Sequence, residues 1–360
     1  MKSGGAPRWT LLLVLFPWGC EDTVHFSEAT SLSPYPASSV FSGVTFRSGT
    51  HRREAPGADN WPITWASDGN QYAHWGDGNG WDGRDASQSG NGVNRISGEK
   101  GNYTGTDRYA SGRTGCGDLC GKSYGILALG STLYMWLSPN SNTNNWNRAT
   151  LYKSLDWGAS WRSTAVEFTQ SDGLGVPFFL QAGQDYRAAE DGYLYIYFTE
   201  IQDGLWEVQK PGQHALARVR PADVENEAAY EFWTGQRGGG GTPAWGSLSA
   251  RTPVFEDPNG VMRSSIIYLP QLHRYVLITN HTARNQGNIA MFDAPHPWGP
   301  WSTFLYESGW PQGGEVPVNT FYWNISPKWL SNGDRDFVLV FTGKEANDAW
   351  NSVEGSFSLH

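Results

Sequence analysis

Short apolar segments separated by tight polar turns recur along the chain from residue 59 onward. The clearest are YGILAL from Tyr124, LYMWL from Leu133, YLYIYFTE from Tyr193 and FVLVFTG from Phe337. Runs of about four to eight residues that are rich in branched and aromatic side chains and bounded by Gly, Asn, Asp or Ser are typical of β-strands. No window of about eleven residues keeps a helical period, so the pattern predicts an all-β fold.

Neighbouring apolar segments are expected to pair as hairpins. A polar turn at residues 67–70 joins the first two segments, and a Gly-Ser turn at residues 130–131 joins the next two. Grouped in this way, the segments form about five units, which begin near Asn60, Ser123, Gln184, Thr252 and Trp323. Units of about 60 to 70 residues, each with enough strand for a four-stranded sheet, predict a five-bladed β-propeller.

A turn motif supports this prediction. Residues 154–161, SLDWGASW, fit the pattern S-x-D-x-G-x-[ST]-W, the Asp box of blade hairpins in sialidase-like propellers. In such a hairpin Asp156 and Ser154 bond turn amides, Gly158 supplies a positive φ, and Trp161 covers the base. The role of the motif is structural, so it indicates the fold and not the activity.

Composition narrows the class of protein and of partner. The 360 residues carry a net charge of −9, only 17% are charged, and 19 Trp, 16 Tyr and 16 Phe are present. An acidic surface gains no counterion-release energy on nucleic acid or on an anionic membrane, so neither is an expected partner. So many rings can fill a large core, and we expect one propeller domain over residues 58–360.

The N-terminal residues have the pattern of an export signal. Lys2 and Arg8 precede an apolar run at residues 9–16 that is too short to span a bilayer. We therefore expect a signal peptide at residues 1–20, with Cys20 as a candidate lipidation site. The alternative is a buried N-terminal strand. Export would place the protein outside the cell, in a periplasm or at a cell surface, without a membrane span.

Two further predictions follow for the mature chain. Residues 21–57 are rich in Ser and Pro and weakly patterned, so we expect a weakly structured segment. Cys116 and Cys120 lie in a glycine-rich loop, and in an exported protein they favour a disulfide over a metal site.

The candidate chemistry is concentrated in residues 59–85. Asp59 and Asp77 each lie about nine residues from the predicted hairpin turn, so strand pairing brings them to the same end. Two converging carboxylates are the minimum equipment for glycoside hydrolysis, in which one protonates the leaving oxygen and the other attacks or activates water. The alternative is that Asp59 caps a loop and Asp77 orders a glycine-rich turn.

Other side chains near predicted strand ends are candidates for substrate binding, either as hydrogen-bonding groups or as rings that stack on sugars. They are His74, Trp61, Trp81, Asp185, Tyr186, Arg187, Arg251, Asn280 and His281. The alternatives are ordinary packing for the tryptophans and histidines, and an edge salt bridge with Glu190 or Asp191 for Arg187. 

A bound metal is the less favoured expectation. Asp77, Asp82 and Asp85 alternate with glycines and could ligate calcium, although the spacing departs from an EF-hand loop. We expect no other metal and no organic cofactor.

Three segments resemble a bacterial five-bladed propeller family, some of whose members are glycoside hydrolases that degrade D-arabinan. They are DNWPITWASDGNQYAHWGDGNGW from Asp59, IAMFDAPHPWGPWSTF from Ile289 and SPKWLSNGDRDFVLVFTG from Ser326. The resemblance implies that Asp59 and Asp77 are the catalytic pair. The tail after Gly343 and the loop with the two cysteines have no counterpart in that family.

The sequence thus predicts an exported carbohydrate-active enzyme, a glycoside hydrolase that cleaves a polysaccharide or oligosaccharide with two carboxylates. One alternative is a polysaccharide lyase, in which His74 or His281 abstracts a proton and Arg187 or Arg251 neutralises a uronate carboxylate. The other is a glycan-binding propeller without catalysis.

Overall fold

A computed structural model describes most of the chain. The described residues are 23–27 (backbone), 33–76, 78–82, 91–110, 119, 121–138, 148–205, 207–237, 241–311, 320–343 and 348–360. Several predictions lie outside these residues, namely the signal peptide with Cys20, the two other cysteines Cys116 and Cys120, and the carboxylates Asp77 and Asp85.

The described residues form β-strands joined by turns, which confirms the all-β prediction. Two strands come first: β1 Thr23–Ser27 and β2 Phe41–Glu54. Unit one contains β3 Ile63–Trp65, β4 Gln71–Gly76, β5 Asn91–Glu99 and β6 Asn102–Ala110. Unit two contains β7 Lys122–Leu129, β8 Thr132–Ser138, β9 Arg148–Ser154 and β10 Arg162–Thr169.

The remaining strands form three more groups. Unit three contains β11 Leu174–Gln181, β12 Leu194–Glu200, β13 Gly212–Val219, β14 Glu231–Arg237, β15 Thr242–Gly246 and the short β16 Phe255–Asp257. Unit four contains β17 Met262–Leu269, β18 Arg274–Asn280, β19 Ile289–Ala294 and β20 Ser302–Glu307. Unit five contains β21 Phe321–Ile325, β22 Asp336–Thr342 and β23 Trp350–Leu359. The helical elements described are 3-10 turns at Gln170–Asp172, Gln184–Tyr186, Pro221–Asp223, Glu227–Ala229 and Leu248–Ala250.

Each unit is an antiparallel sheet in which successive strands are neighbours. Units three and four join through the parallel pair β11 and β17, with Leu180 opposite Ile266. Unit five is completed from the other end of the chain, because β2 pairs with β23 and β1 with β2. Residues 41–54, which we expected to be weakly structured, therefore form the longest strand described.

The first strands of the units, β3, β7, β11, β17 and β21, lie side by side, and we call them the inner strands. Ala128 N donates to Thr64 Oγ1 (3.0 Å), which joins β7 to β3, and Gln181 Nε2 donates to the Ile126 carbonyl (2.9 Å), which joins β11 to β7. Ser265 Oγ donates to the Trp323 carbonyl (2.6 Å), which joins β17 to β21. β11 and β17 pair in parallel, and the Asp59–Lys122 and Arg263–Phe321 contacts join residues near the starts of neighbouring inner strands. The inner strands therefore point the same way, and their first residues lie at one end.

Large rings fill the space between neighbouring units. Trp136 of unit two contacts Phe179 and Phe198 of unit three, with ring centroids 6.1 and 5.8 Å apart. Trp310 and Trp323 pack edge to face at 6.2 Å between units four and five. Most of the aromatic residues that the structure describes are buried in the core.

Two predicted unit boundaries are wrong. Unit three begins at Leu174 rather than near Gln184. Its first strand, β11, contains Gly175 and Pro177, which are uncommon in central strands, and both lie at a bulge in the pairing of β11 with β12. Unit four begins at Met262 rather than Thr252, because the intervening β16 pairs back onto β13 of unit three.

The turn between β9 and β10 is held by its own side chains. Ser160 N donates to Asp156 Oδ1 (2.9 Å), and Gly158 N donates to Ser154 Oγ (2.8 Å). Trp161 Nε1 donates to the Gly158 carbonyl (3.1 Å), so the indole closes the base of the turn. Gly158 has a φ of 84°, as the turn requires.

Candidate active site

Strained backbone recurs at the same position in four units, and it also occurs elsewhere, for example at Asp185 and Tyr186. Asn60, Val176, Arg263 and Tyr322 are non-glycine residues near the start of four inner strands, with φ of 57°, 49°, 50° and 53°. Such backbone costs about 1–3 kcal/mol per residue and is a genuine outlier for a branched side chain such as valine. Strain of this kind collects at functional sites, and its repetition in four units marks this end as the candidate site.

Three of the strained residues, Val176, Arg263 and Tyr322, lie at bulges, which turn side chains toward a site, whereas Asn60 precedes the regular pairing of β3 with β4. Pairing of the first and second strands is interrupted near the start of units two to five. In unit two the interruption falls at Tyr124. We call Asn60, Tyr124, Val176, Arg263 and Tyr322 the bulge ring.

Members of the bulge ring meet one another across the inner strands. Tyr322 Oη donates to the Tyr124 carbonyl (2.6 Å), and the two rings pack edge to face with centroids 5.4 Å apart. The Arg263 guanidinium lies 4.3 Å from the ring centre of Phe321. Burial, reinforced by Tyr124, raises the pKa of Tyr322 well above its usual value, so its hydroxyl stays a donor.

Asp59 lies directly beside this ring. Its backbone pairs with Gly76 through two hydrogen bonds of 2.8 Å, which fixes it at the open end of the first hairpin. Its Oδ1 accepts a hydrogen bond from Asn60 Nδ2 (2.6 Å), and its Oδ2 lies 3.4 Å from Lys122 Nζ. The side chains of Asp59 and Lys122 are each 5% exposed, so this is a buried ion pair.

Sequence reasoning missed Lys122. It is the first residue of β7, directly before the buried run from Ser123 to Ala128. A charged residue at the start of an apolar strand was the available signal, because burial of a lysine requires a partner.

His74 is a buried neutral group beside the ion pair. It is fully buried in β4. Burial and, to a smaller extent, the charge of Lys122 lower its pKa to about 3, and the Asn60 backbone opposes them. His74 is therefore neutral near neutral pH, and its burial beside the ion pair fits the packing alternative.

Asn280 and His281 reach the same end of the molecule, at the close of β18, but they differ in character. Asn280 is fully buried, and neither of its amide atoms has a hydrogen-bond partner among the described residues. His281 uses both ring nitrogens, toward Thr282 Oγ1 (2.8 Å) and the Glu307 carbonyl (2.9 Å). Burial lowers its pKa to about 4. Asn280 therefore remains a candidate for ligand binding, whereas His281 is held by its neighbours.

Asp185, Tyr186 and Arg187 lie at the opposite end of the inner strands, so the prediction that they face the same site is wrong. They follow β11 instead of preceding an inner strand, and the adjoining Gln184 Nε2 donates to the Ala66 carbonyl just after β3 (2.9 Å). Asp185 and Arg187 form an ion pair of 3.2 Å, and the Tyr186 hydroxyl is buried and accepts a backbone hydrogen bond.

Arg251 is committed to structural contacts. Its guanidinium lies 3.2 Å from Glu200 Oε1 and donates to the carbonyls of Asp172 (2.8 Å) and Leu248 (3.1 Å). These contacts join β12 to two 3-10 turns. The arrangement does not support a role in neutralising a substrate carboxylate.

Trp61 belongs to the core between units one and five, so its prediction as a sugar-stacking platform is wrong, whereas Trp81 is half-buried against that core and its role stays a prediction. Trp61 has no exposed surface and packs edge to face on Trp350, with centroids 5.4 Å apart. Trp81 packs on the same indole at 5.5 Å and on Tyr103 at 6.3 Å. With no exposed surface, the Trp61 ring offers no face to a sugar.

Asp107 holds the segment that follows Asp77 in the chain. Its carboxylate accepts hydrogen bonds from the backbone amides of Trp81 and Asp82, both 2.9 Å, and from Asn94 Nδ2. Burial raises the pKa of Asp107, against the opposing effect of these hydrogen bonds. In the part of the chain that the structure describes, no three His, Cys, Asp or Glu side chains are arranged to hold a metal ion.

Solved structures share this fold. A candidate hydrolase from Bacteroides ovatus is 13% identical with a TM-score of 0.54, covering 94% of this chain and 96% of that one. The β-xylosidase RS223 is 14% identical with a TM-score of 0.52, covering 86% and 97%. A GH43_1 enzyme from Xanthomonas citri is 13% identical with a TM-score of 0.50, covering 85% and 90%. At these identities the likeness concerns the fold alone.

Sequence comparison gives the family. No curated protein matches the chain. Among the described residues, none forms a helix long and apolar enough to cross a membrane. A family model described as a domain of unknown function, DUF4185, matches residues 124–315. Because this match spans more than half of the 360 residues, the chain belongs to the DUF4185 family.

Proposed function

We propose that the protein is an exported glycoside hydrolase with a five-bladed β-propeller fold, which cleaves a polysaccharide at the bulge-ring end of its inner strands. The solved structures of similar fold include a β-xylosidase and a GH43_1 enzyme. Export rests on the N-terminal pattern of the sequence. The observation that carries the proposal is the buried Asp59–Lys122 pair, set beside a ring of strained backbone in this fold.

Two features support the propeller assignment. Five antiparallel units follow one another along the chain, their first strands lie side by side, and the last unit is completed by β2 from the N-terminal side. The turn at residues 154–161 makes the internal hydrogen bonds expected of an Asp box.

The ion pair suggests how the two carboxylates divide their roles. Lys122 Nζ, 3.4 Å from Asp59 Oδ2, places a cation beside this carboxylate, an arrangement that suits a nucleophile or a base that activates water. The second carboxylate is Asp77, which directly follows Gly76, the residue whose backbone pairs with Asp59. Asp77 would then protonate the leaving glycosidic oxygen. A carboxyl separation of about 5 Å would give retention, and about 6.5–9.5 Å inversion.

The lyase alternative lacks support in the groups that it needs. His74 is buried, and both nitrogens of His281 are engaged. Arg187 lies at the opposite end, and Arg251 is held by three other groups. 

Release of new reducing ends from a panel of arabinan, xylan, glucan and galactan tests the proposal. Asp59→Asn should lower kcat/KM by at least about 100-fold, because general acid–base catalysis contributes about 10²- to 10⁴-fold. Asp185→Asn is the matched control, since it alters another buried, ion-paired aspartate at the opposite end. It should stay within about threefold of the wild type.

Circular dichroism must show that both variants are folded. A folded Asp59→Asn variant with activity within about threefold of the wild type would remove Asp59 from the mechanism. Products with ultraviolet absorbance from an unsaturated sugar would establish a lyase instead. Retention on polysaccharide gels without new reducing ends would establish a binding protein.

A further inference from the structure

A cavity lies on the outer rim of units three and four, apart from the bulge ring. It is bounded by residues 34–35, 211–213 and 253–258, and its volume is about 380 Å³. Small-ligand sites span about 300–1,000 Å³, so this cavity has room for a compact ligand. Its lining shares no residue with the Asp59–Lys122 pair or the bulge ring.

One wall comes from the segment that precedes β2, which is anchored on β20. Thr303 N donates to the Pro36 carbonyl (2.8 Å), and Ser38 N donates to the Thr303 carbonyl (2.9 Å). The Tyr35 ring packs on Phe255 with centroids 5.2 Å apart. The cavity therefore has fixed walls before any ligand arrives.

Hydrogen-bonding groups line the cavity beside these rings. Tyr35 Oη accepts a hydrogen bond from Glu256 N (2.8 Å), and burial raises the pKa of Tyr35 to about 12, so the hydroxyl keeps a proton to donate. The exposed Glu256 carboxylate accepts from Gln213 Nε2 (3.1 Å). Asp257 is buried and held by Asn259 N (2.8 Å) and Tyr306 Oη (3.0 Å).

The remaining lining of the cavity is apolar. Four proline rings contribute to it: Pro34, Pro211, Pro253 and Pro258. Of the lining residues that the structure describes, none is Lys, Arg or His, so the two carboxylates give the cavity a negative potential that disfavours anions. Apolar ring faces next to carboxylate, amide and phenol groups suit a ligand with CH-rich faces and many hydroxyls.

We propose that this rim cavity is a second saccharide site, which binds one uncharged sugar residue of a glycan through the Tyr35 ring and hydroxyl and the Glu256 carboxylate. A glycan held here would be kept at high effective concentration near the molecule. The inference stands apart from the hydrolase proposal, because it depends on neither the activity nor the bulge ring.

Saturation-transfer NMR with methyl glycosides of arabinose, xylose, glucose and galactose tests this site, with D-glucuronate as the anionic comparison. At least one neutral glycoside should bind the full chain, and D-glucuronate should bind more weakly. Tyr35→Phe removes the hydroxyl but keeps the ring, and should weaken binding about three- to tenfold. Gln213→Trp, which places a large side chain at the cavity, should abolish binding at this site.

Tyr193→Phe is the matched control, since it removes a half-buried phenol hydroxyl elsewhere on unit three, and binding should not change. The catalytic site can bind the same glycosides, so the rim site is measured as the part of the signal that Gln213→Trp removes and that Tyr193→Phe and Asp59→Asn keep. A signal that Gln213→Trp leaves unchanged, or no binding of any neutral glycoside, would overturn the proposal.

Discussion

The Asp59–Lys122 pair provides a quantitative test of how the site is built. Lys122→Met keeps the length and apolar stem of the side chain but removes the ammonium. The Asp59 carboxylate is then left 5% exposed without its cationic partner. Removing one member of a buried pair costs about 3–5 kcal/mol, because the remaining charge stays desolvated. We expect a loss of that size in the free energy of unfolding.

The double variant should recover most of this loss. In Asp59→Asn with Lys122→Met neither charge remains, and neutral replacements of a buried pair are often no less stable than the pair. The cycle should therefore give a coupling energy of at least about 2 kcal/mol. Urea unfolding followed by tryptophan fluorescence measures all four proteins.

An exposed pair serves as the control. Arg284 and Glu207 lie 3.1 Å apart with side chains 42% and 50% exposed, so Arg284→Met should cost no more than about 1 kcal/mol. A loss below about 1 kcal/mol for Lys122→Met, together with no coupling in the cycle, would refute the description of the site as a buried ion pair.

Three further predictions concern groups around the site and the inner strands. Burial lowers the pKa of His214 from 6.5 to about 3, so the unfolded chain binds the proton more readily and stability is lost as the pH falls through that window. His214→Gln should reduce the slope of the unfolding free energy by about 1.4 kcal/mol per pH unit between pH 6 and 4, and an unchanged slope in urea titrations would contradict this. Gly125→Ala should cost about 1–3 kcal/mol, because a Cβ there lies 2.8 Å from Phe178 Cα, whereas Gly49→Ala, with nothing within 4 Å, should stay within about 0.5 kcal/mol on thermal unfolding. Asp107→Asn loses an acceptor for the backbone amides of the segment after Asp77, so those amides should exchange with deuterium at least about fivefold faster, and unchanged protection would rule out this anchoring role.

Local patterns were sufficient for much of the fold. The apolar runs predicted strands correctly because short segments rich in branched and aromatic side chains are typical of β-strands. The polar turns between them predicted the hairpins of units one and two. Asp59 was also located at the open end of its hairpin by counting from the turn, and its backbone does pair with Gly76.

The errors arise where distant residues decide the structure. Residues 21–57 were expected to be weakly structured because they are rich in Ser and Pro. Strand β2 within them pairs with β23, about 300 residues away, and no local pattern reports that pairing. Unit three was expected to begin near Gln184, which put Asp185 at the wrong end of the inner strands. Its first strand is β11, in which a bulge in the pairing with β12 accommodates Pro177. Lys122 could not be paired with Asp59 from sequence, because units one and two meet only in the folded chain.

The tryptophans show a different limit. Trp61 and Trp81 sit among polar residues in the sequence, as sugar-binding rings do, but both pack against Trp350 from the far end of the chain. The strained backbone of the bulge ring likewise has no sequence signature, since Val176 and Tyr322 are residue types that rarely adopt positive φ.

The central claim is that glycan is cleaved at the bulge-ring end of the inner strands. A diffraction structure of the Asp59→Asn variant, soaked with an oligosaccharide that the wild type cleaves, tests it most directly. We predict sugar density at the bulge-ring end of the inner strands, with the bond to be cleaved within about 3–4 Å of residue 59. An oligosaccharide bound beside Asp185 at the opposite end, with no sugar at the bulge ring, would contradict the account.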